Sequence, residues 1–189
     1  MQGTRRIDIL HRESGKVLFS HDAPDGRVAS AVEAAARLQA DLTGADLSEE
    51  NLAGLMAAGL RLAGADLSGA NLAGAVLTGA SLVGIDLSEA NMAGADLSEA
   101  NLEAADLSEA NMAGANLQGA LLHAADLAEA NLAGARLQGA MLKLADLSEA
   151  NLAGADLRQA VLTAVDVEGA NVRDALTEGA IDAPDLPPA

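Results

Sequence analysis

Carboxylates at a fixed spacing are the side chains of this 189-residue sequence that could do chemistry. Aspartate recurs every twenty residues, at Asp46, Asp66, Asp86, Asp106, Asp126, Asp146 and Asp166, and five glutamates each follow one of these by three residues, at Glu49, Glu89, Glu109, Glu129 and Glu149. Paired carboxylates act as acid and base, bind hard cations, or form an anionic surface. An active site needs a place where different groups converge, and here one pair repeats unchanged. The sequence therefore predicts no catalytic site and no metal site.

The other reactive side chains are few. The three histidines are His11, His21 and His123, and the chain has no cysteine. No nucleophile motif and no phosphate-binding loop accompanies them, so we expect a protein that is not an enzyme and uses no cofactor. The absence of cysteine, and hence of disulfides, is consistent with the reducing cytoplasm. Neither a signal peptide nor a transmembrane helix is predicted. We therefore expect a cytoplasmic protein.

The formal net charge of −17 restricts the class of partner. Strong negative charge disfavours direct binding to nucleic acid or to an anionic membrane. A protein that itself binds nucleic acid is still a possible partner for a chain of this charge.

Two interpretations of the repeated carboxylates stay open. In the first, each aspartate accepts a hydrogen bond from a nearby corner N–H, as aspartate does in turns, and the serine that often stands two residues later assists. In the second, the aspartates and their neighbouring glutamates form an anionic ridge that imitates a phosphate backbone and occupies a basic groove.

A five-residue unit of the form Ala, Asp or Asn, Leu and two further residues must position these side chains, and it runs from Ala40 to Asp174. Residues two apart in an extended segment point to the same side, so the Ala and the Leu face inward and the Asp or Asn faces outward. The last two residues, often Ser-Glu or Ala-Gly, form a corner at which glycine tolerates a positive φ.

The number of edges in a coil follows from the superperiod of twenty. The outward residue is Asp in one column of units and Asn in another, from Asn51 to Asn171, so four units close one coil. The sequence thus predicts an all-β solenoid of square cross-section. Its 27 units, four to a coil, give about 6.75 coils. A narrow lumen filled by Ala and Leu explains an aromatic content of only 1%.

The repeated unit resembles that of the pentapeptide-repeat family over about 135 residues. The resemblance implies a right-handed quadrilateral β-helix. Some members act on DNA gyrase as DNA mimics and confer quinolone resistance. Several of those carry a projecting loop, and no loop interrupts the array here, so no functional residue is carried over from them.

The two ends differ in pattern from the array. Residues 1–39 are predicted as a β-hairpin followed by a helix over 27–39 that caps the first coil, residues 40–174 as the array, and residues 175–189 as a C-terminal cap and tail. A short helix is expected over Arg173–Ala180.

Specificity is expected on the two irregular sides of the solenoid. One of them carries exposed apolar residues on successive coils, so it predicts a partner interface formed by Leu121, Met141, Val161, Val83, Leu144 and Lys143. The predicted function is a non-catalytic rigid scaffold that binds a protein partner or its own copy, as in a homodimer. The alternative is an acidic DNA mimic that inhibits or protects a DNA-binding enzyme such as gyrase.

Overall fold

A β-hairpin opens the chain in a computed structural model that describes residues 4–182. Strand β1 (Arg5–Leu10) pairs antiparallel with strand β2 (Val17–Ala23), and the register shifts between Ile9 and Leu10. Ile7 and Ile9 alternate with exposed residues along β1 and are buried, as residues on one face of a strand can be.

Helix α1 (Val28–Arg37) follows the hairpin. Asp25 fixes its start, because one carboxylate oxygen accepts the Arg27 N–H and the other accepts the Ser30 hydroxyl at 2.7 Å. The small apolar residues of one side, among them Ala31, Val32 and Ala35, are buried in the same core as the array. Gln39, at φ 53°, ends the helix in the left-handed conformation.

Parallel bridges between residues twenty apart connect every coil to the next, from Asp41 with Arg61 to Val161 with Ile181. In the middle of the array, the Leu107 N–H donates to the Asp126 carbonyl at 2.7 Å and the Asp106 N–H donates to the Ile85 carbonyl at 2.9 Å. Each coil therefore donates hydrogen bonds in both directions along the axis. The four-unit coil predicted from the superperiod of twenty is the pairing that the structure shows.

The core is a single column of inward side chains. The Ala and Leu of nearly every unit are almost completely buried, and no polar or charged side chain is buried among the described residues. One unit reverses the usual sizes: Ala57 stands at the central position, and Leu55 and Leu60 occupy the neighbouring alanine positions. All three are buried, so the larger neighbours occupy the volume that a central leucine fills elsewhere.

The second corner residue has a positive φ throughout the array. Glycine accounts for many of these positions, such as Gly69 at 63°, and glutamate accounts for others, such as Glu89 at 58° and Glu109 at 57°. The sequence indicates this conformation for glycine only. Glutamate adopts it because the corner is held on both sides by hydrogen bonds to neighbouring coils, and the strain is tolerated.

The helix predicted over 173–180 is wrong. Asp174 and Gly179 are corner residues with positive φ, Leu176 forms a bridge with Asp156, and Ile181 forms one with Val161. The units continue here because Ala175 and Ala180 keep the inward alanine in register, although Thr177 replaces the central leucine. Residues 183–189 of the predicted tail lie outside the described residues.

The hairpin and the helix both bond to the first coil. The Leu10 carbonyl accepts the Asp46 N–H at 2.8 Å, and the Gly44 carbonyl accepts the Arg12 N–H at the same distance. A carboxylate oxygen of Glu33 on α1 accepts the Met56 N–H at 3.4 Å. Later in the array, the equivalent N–H groups donate to a carbonyl of the preceding coil. The first coil has no coil before it, so Leu10 and Glu33 supply these hydrogen-bond acceptors instead. Within residues 4–182, no helix is long and apolar enough to cross a membrane.

Candidate interaction surfaces

The Asp column, which consists of the seven aspartates from Asp46 to Asp166, forms the middle of one side. In each of them Oδ1 accepts the N–H two residues later, at 3.0 Å for Ser68 and Ser108. At four positions the serine hydroxyl donates to the same oxygen, at 2.6 Å for Ser108. The hydrogen-bonding interpretation is therefore confirmed for Oδ1.

The second oxygen of these aspartates is used differently. Among the described residues, Oδ2 of the column has no hydrogen-bond or ion-pair partner, and the side chains are half-buried or exposed. The turn holds each carboxylate by one oxygen and leaves the other toward solvent. A local structural role and an anionic surface are therefore compatible at the same residue.

Glutamates stand at the corner that follows the Asp column. Glu49, Glu89, Glu109, Glu129 and Glu149 are all exposed, and each has φ between 57° and 59°. A residue with a Cβ costs about 1–2 kcal/mol in this conformation relative to a right-handed one, and glycine avoids that cost. Gly69 fills the equivalent corner of the second coil, so the fold itself accepts glycine there.

The Asn column on the next side is neutral and regular. Each side-chain amide from Asn71 to Asn171 donates to the Oδ1 of the asparagine one coil earlier, for example Asn111 to Asn91 at 3.1 Å and Asn131 to Asn111 at 3.1 Å. Alanine and glycine form the adjoining corner on six coils, and Arg173 and Asp174 form it on the last. The amide groups satisfy one another along the axis, as in stacked asparagine ladders. This side offers a partner little beyond a smooth surface.

An apolar ladder occupies the C-terminal half of the side that precedes the Asp column. It is defined by Leu121, Met141, Val161 and Ile181, and each forms a parallel bridge with the next. Leu121 is 36% exposed, Met141 41% and Ile181 54%, whereas Val161 is half-buried. Ile181 is absent from the sequence prediction because the expected helix over 173–180 ends before it; its spacing of twenty from Val161 is the signal that finds it.

The remaining predicted interface residues are placed unequally around the apolar ladder. Lys143 and Leu144 lie at the adjoining corner, where Leu144 is 52% exposed, and the Lys143 carbonyl contacts His123 Nδ1 at 2.9 Å. Val83 is 36% exposed but lies on the coil of Ser81, two coils before Leu121. The structure thus brings together all of the predicted group except Val83.

A polar corner flanks the apolar ladder on its other side. Arg158 donates to both carboxylate oxygens of Asp156, at 2.9 Å from Nε and 2.6 Å from Nη2, and Gln138 Nε2 donates to the same group at 2.6 Å. The hydrogen bonds from Arg158 lower the pKa of Asp156 to about 2. Arg158 is therefore neutralised locally. Gln118 and Gln159 lie at the same corner, and Glu178 lies there one coil beyond Arg158.

Within residues 4–182, no group of three or more His, Cys, Asp or Glu side chains is arranged to hold a metal ion. The carboxylates are spread along the axis. The array is instead matched by the family model described as pentapeptide repeats, in overlapping copies that span residues 39–72, 58–92, 70–108, 105–143 and 142–176. The chain belongs to the pentapeptide-repeat family. The resemblance inferred from its five-residue unit is confirmed, and pentapeptide-repeat proteins fold as right-handed quadrilateral β-helices.

Solved structures of other pentapeptide-repeat proteins resemble the chain. One is HetL, which is involved in the regulation of heterocyst differentiation in the cyanobacterium Nostoc sp. strain PCC 7120: it is 35% identical, with 71% of this chain and 73% of HetL covered, at a TM-score of 0.40. A second is Rfr23 from the cyanobacterium Cyanothece 51142, which is 32% identical, with 60% and 64% covered and a TM-score of 0.45. Pentapeptide-repeat proteins are in general non-catalytic structural or interaction proteins.

A more distant pentapeptide-repeat structure is QnrB1, a plasmid-mediated fluoroquinolone resistance protein. It is 20% identical, with 72% of this chain and 76% of QnrB1 covered, at a TM-score of 0.32. At this identity the likeness concerns the fold alone. No curated protein matches the chain.

Proposed function

We propose that this pentapeptide-repeat protein is a non-catalytic rigid scaffold that binds a protein partner, or a second copy of itself, through its irregular sides. The observation that carries the proposal is the apolar ladder. Four apolar residues stand on four successive coils, and three of them are at least 36% exposed. A contiguous exposed apolar strip is a common mark of an interface.

The hairpin and α1 complete the scaffold in this proposal. Residues 1–39 act as the cap of the array at 40–174, which the units around Leu176 and Ile181 extend. The support at the N-terminal end is the pair of bonds from Asp46 to Leu10 and from Met56 to Glu33, which satisfy backbone N–H groups that would otherwise face solvent. A capped array is rigid and soluble by itself, as a scaffold requires.

Charging the apolar ladder tests the scaffold. We expect Leu121→Asp with Met141→Asp to reduce partner recovery or self-association at least tenfold, because two unpaired carboxylates would be desolvated in the interface. Recovery is measured by pull-down with the purified protein as bait, and association by light scattering after size exclusion. Both side chains point away from the core, so the far-UV circular dichroism spectrum should not change.

Met56→Asp with Val76→Asp is the matched control. It adds the same two charges at outward positions of a different side, one of which is 61% exposed. If both double variants keep the oligomeric state and the partners of the wild type, the ladder is not an interface and the scaffold proposal fails.

The corner glutamates favour a second candidate function, an acidic DNA mimic that acts on a DNA-binding enzyme such as gyrase. Five exposed glutamates stand at the corner next to the Asp column, in a conformation in which glycine is less strained. Together with the free Oδ2 atoms of the Asp column, they form an anionic ridge along the array. Regular negative charge of this kind can fill a basic groove.

Removing charge from the ridge tests the mimic. Asp106→Asn with Asp126→Asn keeps the Oδ1 acceptor that the corner N–H uses, as Asn111 shows in its own column. We expect gyrase supercoiling assays, run with and without a quinolone, to show inhibition or protection by the wild type that weakens severalfold in this variant. Glu13→Gln with Asp22→Asn removes the same charge from the hairpin. Equal effects of the two variants would contradict action through the ridge.

A further inference from the structure

The apolar ladder has a spacing that a helix can match. Neighbouring coils are about 4.8 Å apart, so four coils present apolar side chains over about 14 Å. An α-helix rises about 5.4 Å per turn, and an amphipathic helix places one or two apolar residues on the same side in every turn. About three turns of such a helix cover Leu121, Met141, Val161 and Ile181 together.

Charge on the two flanks of the ladder is unequal. One flank carries balanced charge, because Arg136 and Arg158 stand beside Asp156 and Glu178. The other side chains of this corner include the neutral Gln138. On the other flank, beyond Lys143 and Leu144, stand Asp126, Asp146 and Asp166, with Glu129 and Glu149 at the next corner. The five carboxylates outnumber the one lysine. A partner that lies on the ladder therefore meets a negative field along one edge.

A second copy of the chain fits this surface poorly. If two rods packed ladder to ladder and antiparallel about a two-fold axis, their Asp columns would lie on the same edge of the interface. In a parallel pair the columns would lie on opposite edges, but each rod carries 23 acidic and only five basic residues from residue 40 onward. Like charges at this density oppose association. The complementary occupant is apolar along its centre and basic on its edge.

We propose that the apolar ladder docks a basic amphipathic α-helix of another protein. The apolar stripe of that helix packs on Leu121, Met141, Val161 and Ile181, and its lysine or arginine side chains face the Asp column. This inference rests on the proposed scaffold function and names the class of partner.

The probe for this proposal is a fluorescein-labelled, amidated peptide of about fourteen residues that contains only Leu, Ala and Lys. Its leucines form one stripe and its lysines flank that stripe. We expect fluorescence anisotropy at about 150 mM salt to show binding to the full chain at least tenfold tighter than that of a scrambled peptide of identical composition. A peptide with Glu in place of Lys should bind at least tenfold more weakly than the probe.

Two protein variants locate the binding. Met141→Gln with Val161→Thr removes apolar surface from the ladder at outward positions and should weaken binding of the probe at least tenfold. Met56→Gln with Val76→Thr makes the same changes on another side and should leave the affinity unchanged. Equal binding of the probe and the scrambled peptide, or no effect of the ladder variant, would overturn the proposal.

Failure of this inference is distinguishable from failure of the scaffold. If the probe does not bind but Leu121→Asp with Met141→Asp still abolishes partner recovery, the ladder is an interface for a partner of different chemistry. If light scattering shows a dimer that this charged variant separates, the occupant is a second copy. Either result overturns the basic helix and keeps the scaffold.

Discussion

Replacing Leu107 with alanine is expected to lower the free energy of unfolding by about 2–5 kcal/mol. Leu107 is fully buried in the middle of the array, and its neighbours Ala105 and Ala110 are too small to fill the space it would leave. The backbone cannot close the cavity, because the Leu107 N–H is bonded to the Asp126 carbonyl at 2.7 Å and the Asp106 N–H to the coil before. Urea unfolding followed by far-UV circular dichroism measures the loss, since the chain has no Trp or Tyr.

Leu144→Ala is the matched control for this substitution. Leu144 is 52% exposed at a corner, and the equivalent corners of other coils already carry Ala104, Ala124 and Ala164. The same side-chain change should therefore alter the free energy of unfolding by no more than about 0.5 kcal/mol. A loss below about 1 kcal/mol for Leu107→Ala would mean that the lumen contracts around small residues, and it would contradict a tightly packed core.

The unit centred on Ala57 should show strong coupling between three buried positions. Ala57→Leu alone is expected to destabilise the protein by about 1–3 kcal/mol, because Leu55 and Leu60 already fill the local volume. Leu55→Ala with Leu60→Ala leaves cavities and should cost about 2–5 kcal/mol for each leucine. When all three changes are combined, the usual Ala-Leu-Ala order is restored, and we expect stability within about 1.5 kcal/mol of the wild type.

The comparison among these variants is a test of compensation by volume. Midpoints and slopes of urea unfolding give the free energies of the single, double and triple variants. Independent sites would show additive losses, so the triple variant would be the least stable of the series. Additive losses would therefore contradict the interpretation that Leu55 and Leu60 replace the missing central leucine.

The regular part of the fold could be predicted from the sequence because every unit carries the same information. The small Ala105 and the larger Leu107 face the lumen, and the polar Asp106 between them faces outward, as a period of two within each edge requires. The alternation of Asp and Asn columns then fixes the pairing of residues twenty apart. Side-chain type and spacing are enough here, because the backbone makes the same bonds at each coil.

Two features could not be predicted because they depend on tertiary hydrogen bonds. Nothing local in Glu109 indicates a positive φ; the conformation is set by its place in the same corner as Gly69 and by the bond from its N–H to the Ala128 carbonyl at 2.9 Å. The continuation of the array to Ile181 was hidden by Thr177, which replaces a central leucine, and by the helical propensity of the alanines around it. In both cases the neighbouring coil overrides local preference.

In the candidate site, too, some features follow from spacing along the sequence and others depend on tertiary contacts. Spacing alone identifies the column of Leu121, Met141 and Val161, because it follows from counting in twenties. The neutralisation of Arg158 by Asp156 depends on side-chain geometry, which composition does not contain. For that reason the sequence indicates an apolar strip, whereas the difference in charge between its two edges emerges only from the structure.

Pairing between residues twenty apart also determines how the protein can change in length. Removing or adding twenty residues would shift everything that follows by about 4.8 Å along the axis, and each side chain would keep its side. Adding five would instead turn all later columns by a quarter of a revolution, so that aspartates would continue the line of the asparagines. Removing five would turn them the other way, so that asparagines would continue the line of the aspartates. Internal duplication in blocks of twenty therefore adjusts the distance between the hairpin and the apolar ladder, and blocks of five reorient one relative to the other.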